Sequence, residues 1–156
     1  MRLIDVSTKQ RPTTFVMVDD EDFDHLNQWK WRTNKEGYVV RSIPRHVILM
    51  HRLLVGAKNG DIIDHINGVI LDNRKSNLRF CSLSQNSWNA RRRKVTFSSV
   101  YKGVYYDKQK KRFEARIHVN GTAIKLGRFK IESDAGKAYD IAAVFHFGSF
   151  AVVNGV

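Results

Sequence analysis

The sequence has little cysteine, little proline and no long apolar run, and these shortages exclude several classes of protein. The single cysteine, Cys81, excludes an internal disulfide and a zinc site built from several cysteines. No uninterrupted apolar run reaches the length that spans a membrane. Residues 1–5 also lack the apolar block of a signal peptide. We therefore expect a soluble protein of a reducing, intracellular compartment.

Several motifs of catalysis are missing as well. There is no Gly-x-Ser-x-Gly elbow for a serine hydrolase and no Gly-x-x-x-x-Gly-Lys loop for ATP. The histidines His46, His51 and His65 have no paired-ligand spacing with Cys81 that would indicate zinc. ATP-driven chemistry, serine hydrolysis and a zinc centre are therefore disfavoured.

Positive charge is abundant and unevenly distributed. The chain has 27 Lys and Arg against 15 Asp and Glu, a net charge of +12. Residues 1–50 carry only +1 of it, whereas residues 51–97 carry +6 and residues 98–156 carry +5. A surplus that served solubility alone would not favour one region so strongly, so we predict a polyanionic partner. Since no basic helix with a continuous apolar face is present, nucleic acid is favoured over a membrane.

Residue patterns divide the chain into three parts. Residues 1–49 combine strand-like runs with an acidic helix start and predict a small mixed α/β region. Residues 50–97 contain a short strand that ends at Asn67-Gly68, an Asn-rich loop and a helix that begins after Ser82. Residues 98–156 form the third part, whose secondary structure is the clearest.

In this third part, apolar and polar residues alternate over residues 112–119, which predicts a half-buried strand. Asn120-Gly121 then predicts a hairpin turn. A helix is predicted from about Glu132 to Phe147, with Phe145 on its apolar face and Gly136 in close contact with the sheet. We expect a three-stranded antiparallel sheet backed by one helix, with a basic free face.

Four consecutive cations, Arg91, Arg92, Arg93 and Lys94, follow the predicted middle helix. Cations suit the C-terminus of a helix because they complement its dipole. Four in succession exceed what a helix end needs, so we predict that they contact DNA phosphates.

Asp64 and His65 lie at the end of the predicted middle strand and are the main candidates for catalytic residues in the sequence. Hydrolysis of a phosphodiester needs a deprotonated water, neutralised phosphoryl oxygens and a stabilised leaving oxygen. A histidine can act as the general base, and a divalent ion on carboxylate and amide oxygens can serve the other two needs. Composition alone is equally compatible with a pair that only caps a turn.

Five segments within residues 50–90 follow one another in a specific order: Met50-His51-Arg52-Leu53-Leu54, Asp64-His65-Ile66-Asn67-Gly68, Asp72-Asn73, Ser76-Asn77-Leu78-Arg79 and Ser84-Gln85-Asn86. Together they resemble the HNH endonuclease family, most closely its phage and mobile-intron branch. The resemblance implies His65 as general base and Asn77 as the central Asn that ties the loop of a ββα-metal unit. It also implies that Asp64 and Asn86 hold one Mg²⁺ or Mn²⁺ ion, and that His51 packs or forms hydrogen bonds near the site.

A second set of segments covers about residues 99–154: Tyr101-Lys102-Gly103-Val104, Arg112-Phe113-Glu114-Ala115-Arg116-Ile117, Leu126-Gly127-Arg128-Phe129, Ala138-Tyr139-Asp140-Ile141-Ala142-Ala143, Phe147-Gly148 and residues 151–154. They resemble the APETALA2/ethylene-response-factor DNA-binding domain, which reads the major groove with the exposed face of its sheet. The resemblance implies DNA contacts from Lys102, Tyr105, Arg116, His118 and Lys125. Positions where plant members carry Arg or Trp differ here, so plant target sequences do not transfer.

The fold expected from the whole sequence is α+β. A ββα-metal HNH nuclease unit follows the small N-terminal region and precedes the three-stranded sheet packed on one helix. We expect a metal-dependent endonuclease that nicks or cleaves double-stranded DNA as a monomer or weak dimer, in the cytoplasm of a bacterial or phage-infected cell. The alternative is a catalytically decayed DNA-binding protein or transcription regulator.

Overall fold

Small antiparallel sheets and short helices make up this α+β protein, in a computed structural model that describes residues 1–90 and 98–156. The contacts divide the chain into two units, Met1–Ser82 and Leu83–Val156. The division into the three parts 1–49, 50–97 and 98–156 that the sequence suggests stays a prediction. The basic run Arg91, Arg92, Arg93 and Lys94 lies outside the described residues. No helix in the described ranges is long and apolar enough to cross a membrane.

The first unit contains three antiparallel sheets, of which two have two strands and one has three. Sheet β1-β2 comes first, sheet β3-β4-β5 follows, and β6-β7 is a hairpin closed by a long loop. The bounds are β1 Arg2–Asp5, β2 Phe15–Val18, α1 Asp20–Leu26, β3 Arg32–Thr33, β4 Val39–Ile43, β5 His46–Leu49, α2 Met50–Leu54, β6 Ile62–His65, a 3₁₀ turn Lys75–Asn77 and β7 Leu78–Cys81.

Alternation along β2 builds the core of the first unit. Val16 and Val18 are fully buried while Phe15 is exposed, because successive strand residues face opposite sides of the sheet. Leu26 at the end of α1 and Met50 at the start of α2 are fully buried in the same core. This core joins the elements that precede the β6-β7 hairpin, and Leu71 of the hairpin loop packs against it.

The long loop of the β6-β7 hairpin is joined to the N-terminal region by backbone bonds. The Met17 N–H donates to the Leu71 carbonyl at 2.8 Å, and the Asn73 N–H donates to the Met17 carbonyl at 2.9 Å. The ammonium of Lys75 binds the carboxylates of Glu21 and Asp22 at 2.7 and 2.8 Å. The loop thus extends the edge of β2 and is held against α1.

The second unit is a three-stranded antiparallel sheet with strand order β10-β9-β8, on which one long helix packs. Its elements are α3 Leu83–Asn89, β8 Val104–Asp107, β9 Arg112–Val119, β10 Thr122–Phe129, α4 Glu132–Phe147 and a 3₁₀ turn Gly148–Phe150. The buried residues Tyr139, Ala143 and Phe147 of α4 cover Ile117 of β9. The predicted bounds of α4 are confirmed.

Two details predicted for α4 are wrong. Phe145 is 82% exposed, because the buried stripe of α4 runs at four-residue spacing through Tyr139, Ala143 and Phe147 and leaves Phe145 on the other side. A Cβ on Gly136 would lie 2.9 Å from Val156 Cγ2 and 3.1 Å from Tyr101 Cγ. The close contact of Gly136 is therefore with Tyr101 and the end of the chain, not with the sheet.

Candidate active site and cationic sheet face

The β6-β7 hairpin positions Asp64 and His65 at its closed end. Asp64 pairs with Arg79 in the strand register, and His65 pairs with Leu78. His65 is the last residue of β6, and both Asp64 and His65 are buried, at 6% and 4% exposure. The strand ends directly after them, as the Asn67-Gly68 turn signal predicts.

His65 is oriented by a side chain that sequence reasoning overlooked. Its Nε2 lies 2.8 Å from Oδ1 of Asn73, and both residues are buried. An amide oxygen only accepts hydrogen bonds, so Nε2 is the donor, and in the neutral imidazole the lone pair then lies on Nδ1. The backbone N–H of Asn73 is bonded to Met17, which fixes the residue that orients the imidazole. The Asp72-Asn73 pair was visible in the sequence, but nothing local assigns it this contact.

Asp64 is charge-balanced by the residue opposite it in the sheet. Arg79 donates from Nε to Oδ2 of Asp64 at 2.9 Å, and its terminal nitrogen Nη2 lies 2.8 Å from the same oxygen in the ion pair. A buried carboxylate needs such a partner because desolvation without one is unfavourable. The guanidinium of Arg79 thus lies against the carboxylate of Asp64 inside the hairpin.

Asn77 bridges the two sides of the loop that follows β6. Its Nδ2 donates to the Asp72 carbonyl at 2.7 Å, and its Oδ1 accepts from the Asn67 N–H at 2.9 Å. Asn77 is itself buried, at 6% exposure. Asn77 directly precedes Leu78, the strand partner of His65, and binds main chain through both ends of its carboxamide.

Asp72 is the second buried carboxylate of the loop, with 1% exposure. Arg74 binds it in bidentate fashion at 2.8 and 2.6 Å, and Asn67 Nδ2 donates to it at 2.8 Å. These bonds, that from Arg74 foremost, hold the pKa of Asp72 below its usual value. The fixed carboxylate stiffens the loop that carries Asn73 and Asn77.

His51 of α2 lies against His65. The ring centroids of these histidines are 5.3 Å apart, and the ring of Tyr38 lies 5.2 Å from that of His51. Burial foremost, together with the neighbouring His65 and Arg52, lowers the pKa of His51 from 6.5 to about 4. His51 is therefore neutral at pH 7 and adds no positive charge beside His65.

The predicted metal ligands lie in different units: Asp64 in the first and Asn86 in α3 of the second. Among residues 1–90 and 98–156, no three His, Cys, Asp or Glu side chains form a ready-made metal cluster. One carboxylate and one amide oxygen are hard donors, and Mg²⁺ commonly keeps several waters and binds few protein ligands. The donor chemistry of Asp64 and Asn86 fits such an ion.

The outer face of the second unit's sheet is organised around a buried carboxylate, Glu114, which is 2% exposed. It accepts a hydrogen bond from the Tyr105 hydroxyl and binds Arg116 Nε at 2.7 Å, Arg128 Nε at 3.0 Å and Lys125 Nζ at 3.1 Å. The Tyr105 bond foremost, and then the cations, hold the pKa of Glu114 far below its usual range, although burial opposes this. We call these five residues the Glu114 cluster.

Three of the predicted DNA contacts, Tyr105, Arg116 and Lys125, therefore converge in the Glu114 cluster. His118 is exposed two residues beyond Arg116 on β9. Lys102 has other partners, since its ammonium donates to the Trp88 carbonyl at 3.0 Å and the Ala90 carbonyl at 2.8 Å. Glu114 and Arg128 were not singled out from the sequence, although alternation placed Glu114 on the solvent face.

Comparisons with known proteins match a sequence range that includes the β6-β7 hairpin. A match to the HNH endonuclease family covers residues 49–88, which include Asp64, His65 and Asn77. The chain is also 30% identical over 146 residues to the uncharacterized HNH endonuclease L560 of Acanthamoeba polyphaga mimivirus. That alignment covers 90% of this chain and 75% of the viral protein.

Proposed function

The chain belongs to the HNH endonuclease family, and on that premise we propose that it hydrolyses phosphodiester bonds in duplex DNA. The observation that carries the proposal is the buried His65, whose Nε2 is held by Asn73 while Asp64 precedes it on the same hairpin. A histidine that only caps a turn needs neither burial nor a dedicated amide partner.

In the proposed reaction His65 is the general base. The lone pair on Nδ1 takes a proton from a water molecule, whose oxygen attacks the phosphorus as the bond from phosphorus to the 3′ oxygen breaks. The leaving 3′ oxygen takes a proton from solvent, so the products are 5′-phosphate and 3′-hydroxyl ends. Asn73 holds the tautomer, and neutral His51 avoids charge repulsion as His65 becomes protonated.

A single Mg²⁺ or Mn²⁺ ion is part of the proposal, with Asp64 and Asn86 as its protein ligands. When bound, the ion neutralises charge on the phosphoryl and leaving oxygens. Arg79 contacts Asp64 through one carboxylate oxygen, Oδ2. Asn77 contributes by holding the loop around this site in one conformation.

The second unit is proposed to read the target DNA. Its sheet presents Tyr105, Arg116, His118 and Lys125, and a ribbon of strands is narrow enough to enter the major groove. Lys102 and the basic run Arg91, Arg92, Arg93 and Lys94 are proposed to add DNA contacts. A likeness of this unit to the APETALA2-type domain remains part of the proposal.

Incubation of supercoiled plasmid with Mg²⁺ or Mn²⁺ tests the proposal. We expect the native chain to give relaxed or linear DNA. His65→Ala should lose about 100-fold or more of the rate, because a general base contributes 10²–10⁴-fold. Binding to the same DNA in EDTA should be nearly unchanged in that variant.

His46→Ala is the matched control, since it removes an exposed histidine of the same unit. It should cleave like the native chain. Cleavage by native chain and His65→Ala alike would contradict the role of His65. No cleavage by either, with DNA binding retained, would favour the decayed DNA-binding protein instead.

A further inference from the structure

The Glu114 cluster holds more cations than it needs for charge balance. One carboxylate with 3% side-chain exposure contacts Arg116, Lys125 and Arg128, whose side chains are 47%, 44% and 40% exposed. The carboxylate is thus covered while each cation keeps a large open surface. The cluster retains a net charge of about +2 on the solvent side of the sheet.

The bonds to Glu114 restrict the two arginines through Nε and not through their terminal nitrogens. Both Arg116 and Arg128 bind Glu114 through Nε. The terminal nitrogens, which carry four of the five guanidinium donors, are not used in these bonds. The Arg116 guanidinium also lies 4.7 Å from the centre of the Tyr105 ring, which restricts it further.

Strand pairing brings the members of the cluster together from all three strands. Glu114 lies opposite Tyr105 on β8 and opposite Arg128 on β10, and Arg116 lies opposite Lys125. The positions of the cations are therefore set by the sheet register and by one central carboxylate. The side chains of these cations are therefore more restricted than those of a row of solvated lysines would be.

We propose that Glu114 is a positioning residue that fixes Arg116, Lys125 and Arg128 for recognition of base edges in duplex DNA, and that Arg128 is a further DNA-contacting residue. The inference rests on the proposed function of the second unit as the reader of the target. Glu114 itself is too buried to contact DNA.

The charge of Glu114 decides between recognition of bases and attraction to phosphates. A surface that served phosphate attraction alone would be stronger without a carboxylate among its cations, because affinity grows with the number of neutralised phosphates. Recognition of base edges instead benefits from a carboxylate that holds the cations in place. A long side chain that is already held in one geometry loses less conformational freedom on binding. A buried carboxylate under three cations fits recognition of bases.

The experiment compares two DNA probes with the full-length chain in EDTA, which prevents cleavage. One probe is a short duplex enriched by the native chain from a randomised pool, and the other is an unselected duplex of equal length. Dissociation constants are measured across a salt series for the native chain, Glu114→Gln and Arg128→Ala. Asp134→Asn is the control, because it adds the same charge at an exposed position on α4.

For Glu114→Gln we expect the preference for the enriched duplex to fall at least about fivefold, the lower end of one bidentate base contact. Affinity for the unselected duplex should stay equal or rise, because the variant is one unit more positive. Arg128→Ala should lose preference to a similar extent, whereas Asp134→Asn should keep it. Thermal unfolding of each variant separates this pattern from loss of the fold, which would lower binding to both probes.

Two results would overturn the inference in distinguishable ways. If the native chain enriches no sequence from the pool, the proposed reading function of the second unit fails, and the role of Glu114 fails with it. If the native chain has a preference and folded Glu114→Gln and Arg128→Ala keep it within twofold, the reading function stands and the positioning role is wrong.

Discussion

The two units handle buried charge in opposite ways. In the first, the buried carboxylates Asp64 and Asp72 are each neutralised by one arginine, and His65 is held by an amide. In the second, one buried carboxylate holds three partly exposed cations. Fixed, water-poor geometry suits a reaction at one phosphate, whereas exposed charge in a fixed pattern suits recognition of an extended polyanion.

The largest effect should come from disrupting the second unit alone. Gly103 has φ +75°, and a Cβ there would lie 2.0 Å from Cδ2 of Tyr139 in the core beneath α4. We expect Gly103→Ala to lower the free energy of unfolding of this unit by about 4 kcal/mol, as severe overpacking and backbone strain do. Hydrogen exchange resolved by segment should show the loss in Leu83–Val156 and not in Met1–Ser82.

Gly121→Ala is the matched control for this substitution. Gly121 has φ +79°, but no atom lies within 4 Å of the added Cβ. Only the backbone strain remains, so the expected loss is about 1 kcal/mol. Equal losses in the two variants would show that the contact with Tyr139 is not what requires glycine.

Acid should affect the first unit through His51. Its pKa of about 4 lies below the ordinary 6.5, so the unfolded chain takes up the proton first as the pH falls. The stability it contributes is complete above pH 6.5 and is lost as the pH falls towards 4, by up to about 3 kcal/mol. Glu114 of the second unit stays ionised over the same interval because its pKa is far lower.

Urea unfolding at pH 7 and pH 4 checks this asymmetry. His51→Gln should show a smaller drop in stability between the two pH values than the native chain. His46→Gln, at an exposed position, should behave like the native chain. The same drop in all three proteins would mean that His51 does not govern the acid response.

Asp64→Asn tests whether the buried carboxylate of Asp64 in the first unit also binds the metal ion. We expect cleavage about 100-fold slower at fixed Mg²⁺, because even indirect partners of a metal site change affinity 10–100-fold. Higher Mg²⁺ should restore part of the rate, and Asn86→Ala should shift the same titration. Glu36→Gln, which alters an exposed carboxylate, is the control. An unchanged titration would remove the altered residue from the ligand set.

The smallest expected effect concerns the orientation of His65. Asn73→Ala should slow single-turnover nicking about 10-fold to 100-fold, because small displacements of a reacting group reduce the rate strongly. Asn73→Asp retains an acceptor for Nε2 and should recover part of the rate. DNA affinity in EDTA should be the same in both variants. Native rates in both would show that the bond to Asn73 does not orient the base.

Elements with a local signature were predictable from the sequence. Alternation and the Asn120-Gly121 turn predicted the β9-β10 hairpin, and three- and four-residue spacing predicted α4. The coarse prediction of an α+β fold is confirmed. The short strands β1 and β3 were missed, because so few residues carry little periodicity and their pairing depends on distant segments.

The candidate site was only partly predictable for the same reason. Asp64, His65 and Asn77 stand in recognisable motifs, whereas the contact of Asn73 with His65 depends on how the loop folds back. Alternation placed Glu114 on an outward position of β9 but could not reveal that cations from neighbouring strands bury it. Local sequence patterns predict which side of a strand a residue faces. The residues that it contacts depend on the tertiary structure.

The backbone bonds between Met17 and the loop at Leu71 and Asn73 have a consequence for recombination between relatives. A chimera that exchanged only residues 50–97 would replace one half of this pairing and retain the other. Exchange after Ser82, where the first unit ends, preserves both halves. The N-terminal fifty residues and the β6-β7 hairpin thus belong to one unit and should be exchanged together.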